Sequence, residues 1–116
     1  MSTTLFILND APYGSERVYN ALRLAGALAG REGEQVRLFL LADAVACAKS
    51  GQQVPQGYYI VILMLGTPIR AGEVAVCGTL MDARGLAADA LLVGARRSTL
   101  AELADWTATA DKVLVF

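Results

Sequence analysis

The sequence predicts an α/β protein assembled from parallel strand–helix–strand units. Strand-like and helix-like segments alternate along the whole chain, which is the pattern of βαβ connections. The first strand-like run, Leu5-Phe6-Ile7-Leu8, is continuously apolar, as strands covered on both faces are. The chain has 116 residues, 55% of them hydrophobic and 18% charged, which fits one domain, 1–116, with a real core. So little charge on so small a protein also predicts surface hidden against other subunits.

The elements follow in order. The first strand ends at Asn9-Asp10, and Ala11-Pro12-Tyr13-Gly14 leads to Ser15, an expected helix N-cap. Val18, Leu22, Ala25 and Ala29 recur at helical spacing, with Gly30 or Gly33 as the stop. Residues 36–41 form the second strand; Arg37 interrupts it, which predicts a shallow strand or one that meets solvent at one end. Asp43 is placed to cap a short helix through Cys47 and Ala48. Residues 49–57 are polar, carry both turn formers and make the longest loop, a candidate lid or docking segment.

Residues 58–65 favour a strand by composition alone. Yet a right-handed crossover to the third strand normally needs a helix. The expectation is a helix over residues 58–70, bent or ended near Gly66-Thr67-Pro68 and, being apolar nearly all round, buried on every side. Val74 to Cys77 is the third strand, with a helix starting at Gly78-Thr79. Residues 87–93 read as a short helix ended by Gly94, and Ala95-Arg96-Arg97 as a very short strand. Thr99 and Glu102 fit a capping box for the last helix. Leu100, Leu103, Ala104 and Thr107 are its expected inner face, with Trp106 off that stripe and turned to a neighbouring element or subunit. Val113 to Phe116 closes the sheet.

Several function classes are excluded. A net charge of −1 gives no basic footprint for nucleic acid. No apolar run is long enough for a bilayer, and the first residues lack the basic region of a secretory signal, so a cytoplasmic protein without membrane contact is expected. Two cysteines and no histidine make no zinc site and a poor disulfide framework, so no metal is expected. No glycine-rich phosphate fingerprint is present, and no cofactor is expected.

Cys77 is the candidate reactive residue. It ends a strand where ligands collect in open α/β sheets, and a helix start favours thiolate over thiol. A chain without histidine lacks the usual general base, but sulfur exchange needs only thiolate character and access. The plainer alternative is a core cysteine packed as a small hydrophobe. That alternative is the better reading for Cys47, between Ala46 and Ala48; spacing cannot establish a resolving role with Cys77. Gly78 allows close approach of a partner's sulfur, and Thr79 offers a helix cap and a hydroxyl. Arg84, Arg96 and Arg97 are placed either to attract an anionic donor or to form ion pairs. Arg84 is nearest Cys77 in sequence and is preferred, with Asp82 expected either as its partner or as a cap and given no catalytic role. Tyr13 and Gly14 share the sheet edge with Cys77 and are candidate walls of a small pocket.

The string Cys77-Gly78-Thr79-Leu80-Met81-Asp82-Ala83-Arg84-Gly85 resembles the active loop of the DsrE-like sulfur-relay family. Asn9-Asp10-Ala11-Pro12-Tyr13-Gly14, Ala42-Asp43-Ala44-Val45 with Gly51-Gln52 and Gly57-Tyr58-Tyr59, and Ala95-Arg96-Arg97-Ser98-Thr99 are similar to further stretches of that family, and the match runs in order over nearly the whole chain. The resemblance implies a three-layer α/β/α fold with an open, mostly parallel five-stranded sheet, flavodoxin-like in layout. It implies homotrimers or homohexamers that move sulfane sulfur as a persulfide, with Cys77 as the carrier residue. Donor and acceptor proteins or small thiols are the implied partners. Close relatives often carry a second cysteine where this chain has Leu80, so a dithiol within the loop is excluded. Relatives also mix charged residues into the segment that matches residues 58–65, and here none comes before Arg70. The competing readings are a non-catalytic oligomeric scaffold and a small-ligand-binding module on the same fold.

Overall fold

The apolar runs form one sheet in the computed structural model, which describes residues 1–57 and 60–116. β1 (Ser2–Leu8), β2 (Glu34–Leu40), β3 (Gly72–Cys77), β4 (Ala95–Ser98) and β5 (Lys112–Val115) lie in the order β4-β3-β2-β1-β5. The predicted five-stranded α/β sheet is present, and it is parallel at every pairing.

The chain lays down β1 to β4 in one direction, then returns past them to place β5 beside β1. Right-handed crossovers put α1 (Arg17–Ala29), α2 (Val61–Met64) and α3 (Gly66–Ala71) on one face. The short α4 (Gly78–Asp82) sits at the carboxyl edge against a 3₁₀ segment, Ala42–Ala48. The returning α5 (Leu100–Thr109) takes the opposite face. Phe6, Leu8, Leu38, Phe39, Leu40 and Val76 are fully buried between these layers. Among the described residues no helix is long and apolar enough to cross a membrane.

Several local expectations are corrected. Arg37 does not mark a shallow strand, because β2 is the central strand of the sheet. The guanidinium stays there by pairing with Glu73 at 3.1 Å and lying 5.1 Å from the Trp106 ring centroid. The cap of α1 is Glu16 rather than Ser15, whose hydroxyl donates to Asp10 (2.8 Å) and accepts from the Arg17 amide at 3.4 Å. Asp43 caps nothing: it lies inside the first turn of the 3₁₀ segment, after Leu41. Residues 88–90 form a single 3₁₀ turn, not a helix over 87–93.

The predicted crossover helix is found as two short pieces, α2 and α3, broken at Leu65. Pro68 is accommodated because it falls in the first turn of α3, where its missing N–H costs nothing. The part of that expectation resting on Tyr58 and Tyr59 lies outside the described residues. The segment is not buried on every side, since Leu63 is 73% exposed. No loop separates α3 from β3. A Cβ at Gly72 would lie 1.7 Å from the Val36 carbonyl oxygen, so only glycine lets the strand start that close to β2.

The last helix is turned from its expected orientation. Leu103 and Trp106 are buried, whereas Leu100, Ala104 and Thr107 are exposed. Trp106 packs edge-on against Phe39, with ring centroids 6.0 Å apart. The capping box is half made: Thr99 accepts from the Glu102 amide at 3.3 Å, but the Glu102 carboxylate turns to Arg96 and Ser98. On the far side β5 is sewn to β1, where the Thr3 amide donates to Asp111 at 2.7 Å and Phe116 stacks on Phe6.

Candidate functional site

A parallel sheet brings the ends of all its strands to one edge, so the segments after β1, β2, β3 and β4 meet there. Cys77 is the last residue of β3 and also the N-cap residue of α4, with no side-chain capping bond. It is a free thiol, 6% exposed, paired in register with Ser98 of β4.

Gly78 does not present open backbone. The space its side chain would occupy holds the Arg97 guanidinium, whose Nε lies 2.7 Å from an ideal Cβ position. Asp82, one turn along α4, receives both ends of that guanidinium: Nη1 donates to Oδ1 and Nη2 to Oδ2, each at 2.8 Å. The bond to Arg97 holds the Asp82 carboxyl below its ordinary value. In turn Asp82 chiefly, and the nearby Cys77 to a smaller degree, push the Arg97 guanidinium further up.

The expected pairing of Asp82 with Arg84 is therefore wrong. Arg84 donates to Asp43 at 2.8 Å and back to the Leu80 carbonyl at 3.2 Å. The structure brings Arg97, not Arg84, to the Cys77–Gly78 junction, because β4 lies beside β3 and the turn of α4 carries Arg84 away. Register was the signal: Arg97 pairs with Val76, one residue before the cysteine. Thr79 is an exposed residue inside α4 and does not cap it.

Arg96 belongs to a second network on the α5 face. It bonds Glu102 and Glu73 and lies 5.6 Å from the Trp106 centroid. Arg96, then Ser98, hold the Glu102 carboxyl below its ordinary value. Ser98, buried beside Cys77 in register, donates to that carboxylate.

Tyr13 fastens loops. Its hydroxyl donates to Gln52 at 3.0 Å and accepts from the Val61 amide at 3.1 Å. Gln52 Nε2 then donates to the carbonyls of Ala46, Cys47 and Lys49. This pins one residue of the long loop to the end of the 3₁₀ segment. Gly14 is exposed and takes the turn with φ of +105°. Cys47 is fully buried, and its thiol faces the Asp10 carbonyl at 3.9 Å. Burial pushes that thiol up to about 12, which keeps it protonated and inert. Among the described residues no group of three or more carboxylates and cysteines is placed to hold a metal ion.

Comparison with known proteins agrees with this fold. The model of the DsrE/DsrF-like family matches residues 3–116. Protein YchN of Escherichia coli K12 is 42% identical, over all of both chains. The uncharacterized protein MK0008 of Methanopyrus kandleri is 36% identical, over 95% of this chain and 90% of its own. The crystal structure of the E. coli ychN protein superposes with a TM-score of 0.93, covering all of both chains. On sequence and fold together, the chain belongs to the DsrE/DsrF-like family.

Proposed function

We propose that this protein is a sulfur-relay subunit that carries sulfane sulfur as a persulfide on Cys77. The observation that carries the reading is the contrast between its two thiols. Cys77 stands at the carboxyl edge of the sheet, next in sequence to the Gly78 that the Arg97 guanidinium covers, in a chain of this family, while Cys47 is sealed in the interior.

The step is a thiol exchange with no net oxidation. The Cys77 thiolate attacks the outer sulfur of a donor persulfide, R–S–SH. A new S–S bond forms to Cys77, the donor's S–S bond breaks, and R–S⁻ leaves with the electron pair. The hydrogen stays on the transferred sulfur, giving Cys77–S–SH. An acceptor thiolate then attacks that outer sulfur and regenerates the Cys77 thiolate. No general base is needed, which suits a chain without histidine. Leu80 offers no second thiol in the loop, so the acceptor must come from another protein or a small thiol. Gly78 and Thr79 line the start of α4 beside the sulfur. Arg84, Tyr13 and Gly14 support the surrounding edge rather than touch the sulfur. The exposed apolar residues Leu63 and Val115 support assembly with further copies, as a trimer or hexamer. Free thiols of this kind belong in the reducing cytoplasm.

Intact-mass measurement after incubation with a persulfide donor tests the reading. The expected result is a dithiothreitol-reversible gain of about 32 Da that Cys77→Ser abolishes and Cys47→Ser retains. No gain, while a control persulfide protein gains, overturns it and leaves an oligomeric scaffold with a nearly closed thiol.

A further inference from the structure

The guanidinium of Arg97 occupies a place that depends on three residues at once. Gly78 leaves the space, since a Cβ there would lie 2.7 Å from Nε and 2.8 Å from Cζ. Asp82 fixes the orientation through two parallel hydrogen bonds. β4 supplies the residue from an edge strand, so the side chain reaches the site from outside the sheet and is 43% exposed. A surface arginine that only paired with a carboxylate would not require a bare Cα beneath it. Here the pair is laid over the residue next to the cysteine. Asp82 takes the hydrogen bonds of Nη1 and Nη2, and Nε, Cζ and Nη2 of the guanidinium cover the Cβ position of Gly78.

From this geometry we infer that Arg97 is the specificity-determining residue at Cys77, selecting sulfur donors that arrive as anions over neutral ones. The inference deepens the persulfide-carrier reading and names its substrate class, small anionic persulfides. Gly78 and Asp82 are positioning residues: they act through Arg97, one by vacancy and one by hydrogen bonding. Asp82 also balances part of the charge, so the selection is a bias rather than a trap.

The test compares alkylation rates of Cys77 by anionic iodoacetate and neutral iodoacetamide, read on the Cys77 peptide by mass spectrometry. The ratio of the two rates cancels changes in thiol ionisation and in general access, leaving the local charge. Arg97→Gln should lower the iodoacetate-to-iodoacetamide ratio by about fivefold at low salt, and by less at high salt. Arg97→Lys should keep most of the wild-type ratio. Gly78→Ala, which displaces the guanidinium, should lower the ratio in the same direction as Arg97→Gln. Circular dichroism confirms that each variant is folded. An unchanged ratio in Arg97→Gln overturns the inference and reduces the pair to a brace for α4. Alkylation does not depend on sulfur carriage. A wild-type protein that fails to gain sulfur but shows the ratio change therefore loses the carrier reading and keeps the charge selection.

Discussion

Cys47 lies among Ala44, Val45 and Ala48, all without solvent exposure, and its surroundings are fixed by packing and by the carbonyl bonds of Gln52. Cys77 lies a short way along the same sheet edge, and α4 beside it is fixed by charge. Asp82–Arg97 ties that helix to β4, and Arg84–Asp43 ties it to the 3₁₀ segment. The same small residue is thus sealed at 0% exposure in one place and sits at 6% exposure at the end of a strand in the other. What differs is what holds the elements around each sulfur. Apolar packing withholds the proton and the solvent, whereas exposed ion pairs hold a helix in place while leaving its surroundings polar.

The largest expected effect that tests this contrast is in reactivity. At neutral pH a thiol at about 12 instead of 9.0 holds roughly a thousandth of the thiolate. Iodoacetamide should therefore label Cys47 at least about a hundredfold more slowly in the folded protein than in urea, while Cys77 is labelled in the fold. Equal labelling in the fold would erase the distinction.

The second effect is alkaline. The fold raises the Cys47 value, so the native state keeps a proton that the unfolded state releases. That contribution is intact below 9.0 and is lost as pH rises toward 12. Urea unfolding across that range should lose about 1.4 kcal/mol per pH unit more in wild type than in Cys47→Ser. Packing supplies the third: Val45→Ala removes two buried methyl groups and should cost about 2 kcal/mol by the same measurement.

The ionic side should respond weakly to mutation and clearly to conditions. Asp82 and Glu102 are held below their ordinary values of 3.8 and 4.5. Their contribution is present above those values and lost as pH falls through the lowered ones. Asp82→Asn should leave the thermal midpoint at pH 7 nearly unmoved and flatten only the acid limb of the pH–stability curve. Added salt should mimic the substitution. A large midpoint drop in Asp82→Asn would mean that α4 is held by more than charge.

Much of the fold was legible because burial on both faces writes itself as unbroken apolar runs, as in Leu5 to Leu8 and Val74 to Cys77. The crossover helix was legible only from topology, since Val61 to Leu65 by composition resembles a strand. Arg37 misled because a charge in a strand suggests an edge, while here Trp106 and Glu73 make a central place for it. The same network explains the turned α5: its inner face meets guanidinium groups as well as methyls, so an apolar stripe was the wrong template. In the site, Cys77 and Gly78 stood out locally. Arg97 was one of three candidate arginines and was passed over for Arg84, because its partners Asp82 and Gly78 lie across a strand pairing that sequence distance does not encode.

The seam between β1 and β5 has its own consequence in time. The Thr3–Asp111 bond spans 108 positions, so the sheet is closed by residues from opposite ends of the chain. Loop closure over that span adds little to the equilibrium cost, since the cost grows only with the logarithm of length. It weighs on the rate instead, because such a pairing forms only after nearly all the intervening chain has been arranged. Until it forms, β1 exposes an unpaired strand edge and the Phe6 face that Phe116 will cover. The docking of four residues, Lys112 to Val115, is therefore what covers that edge of the sheet.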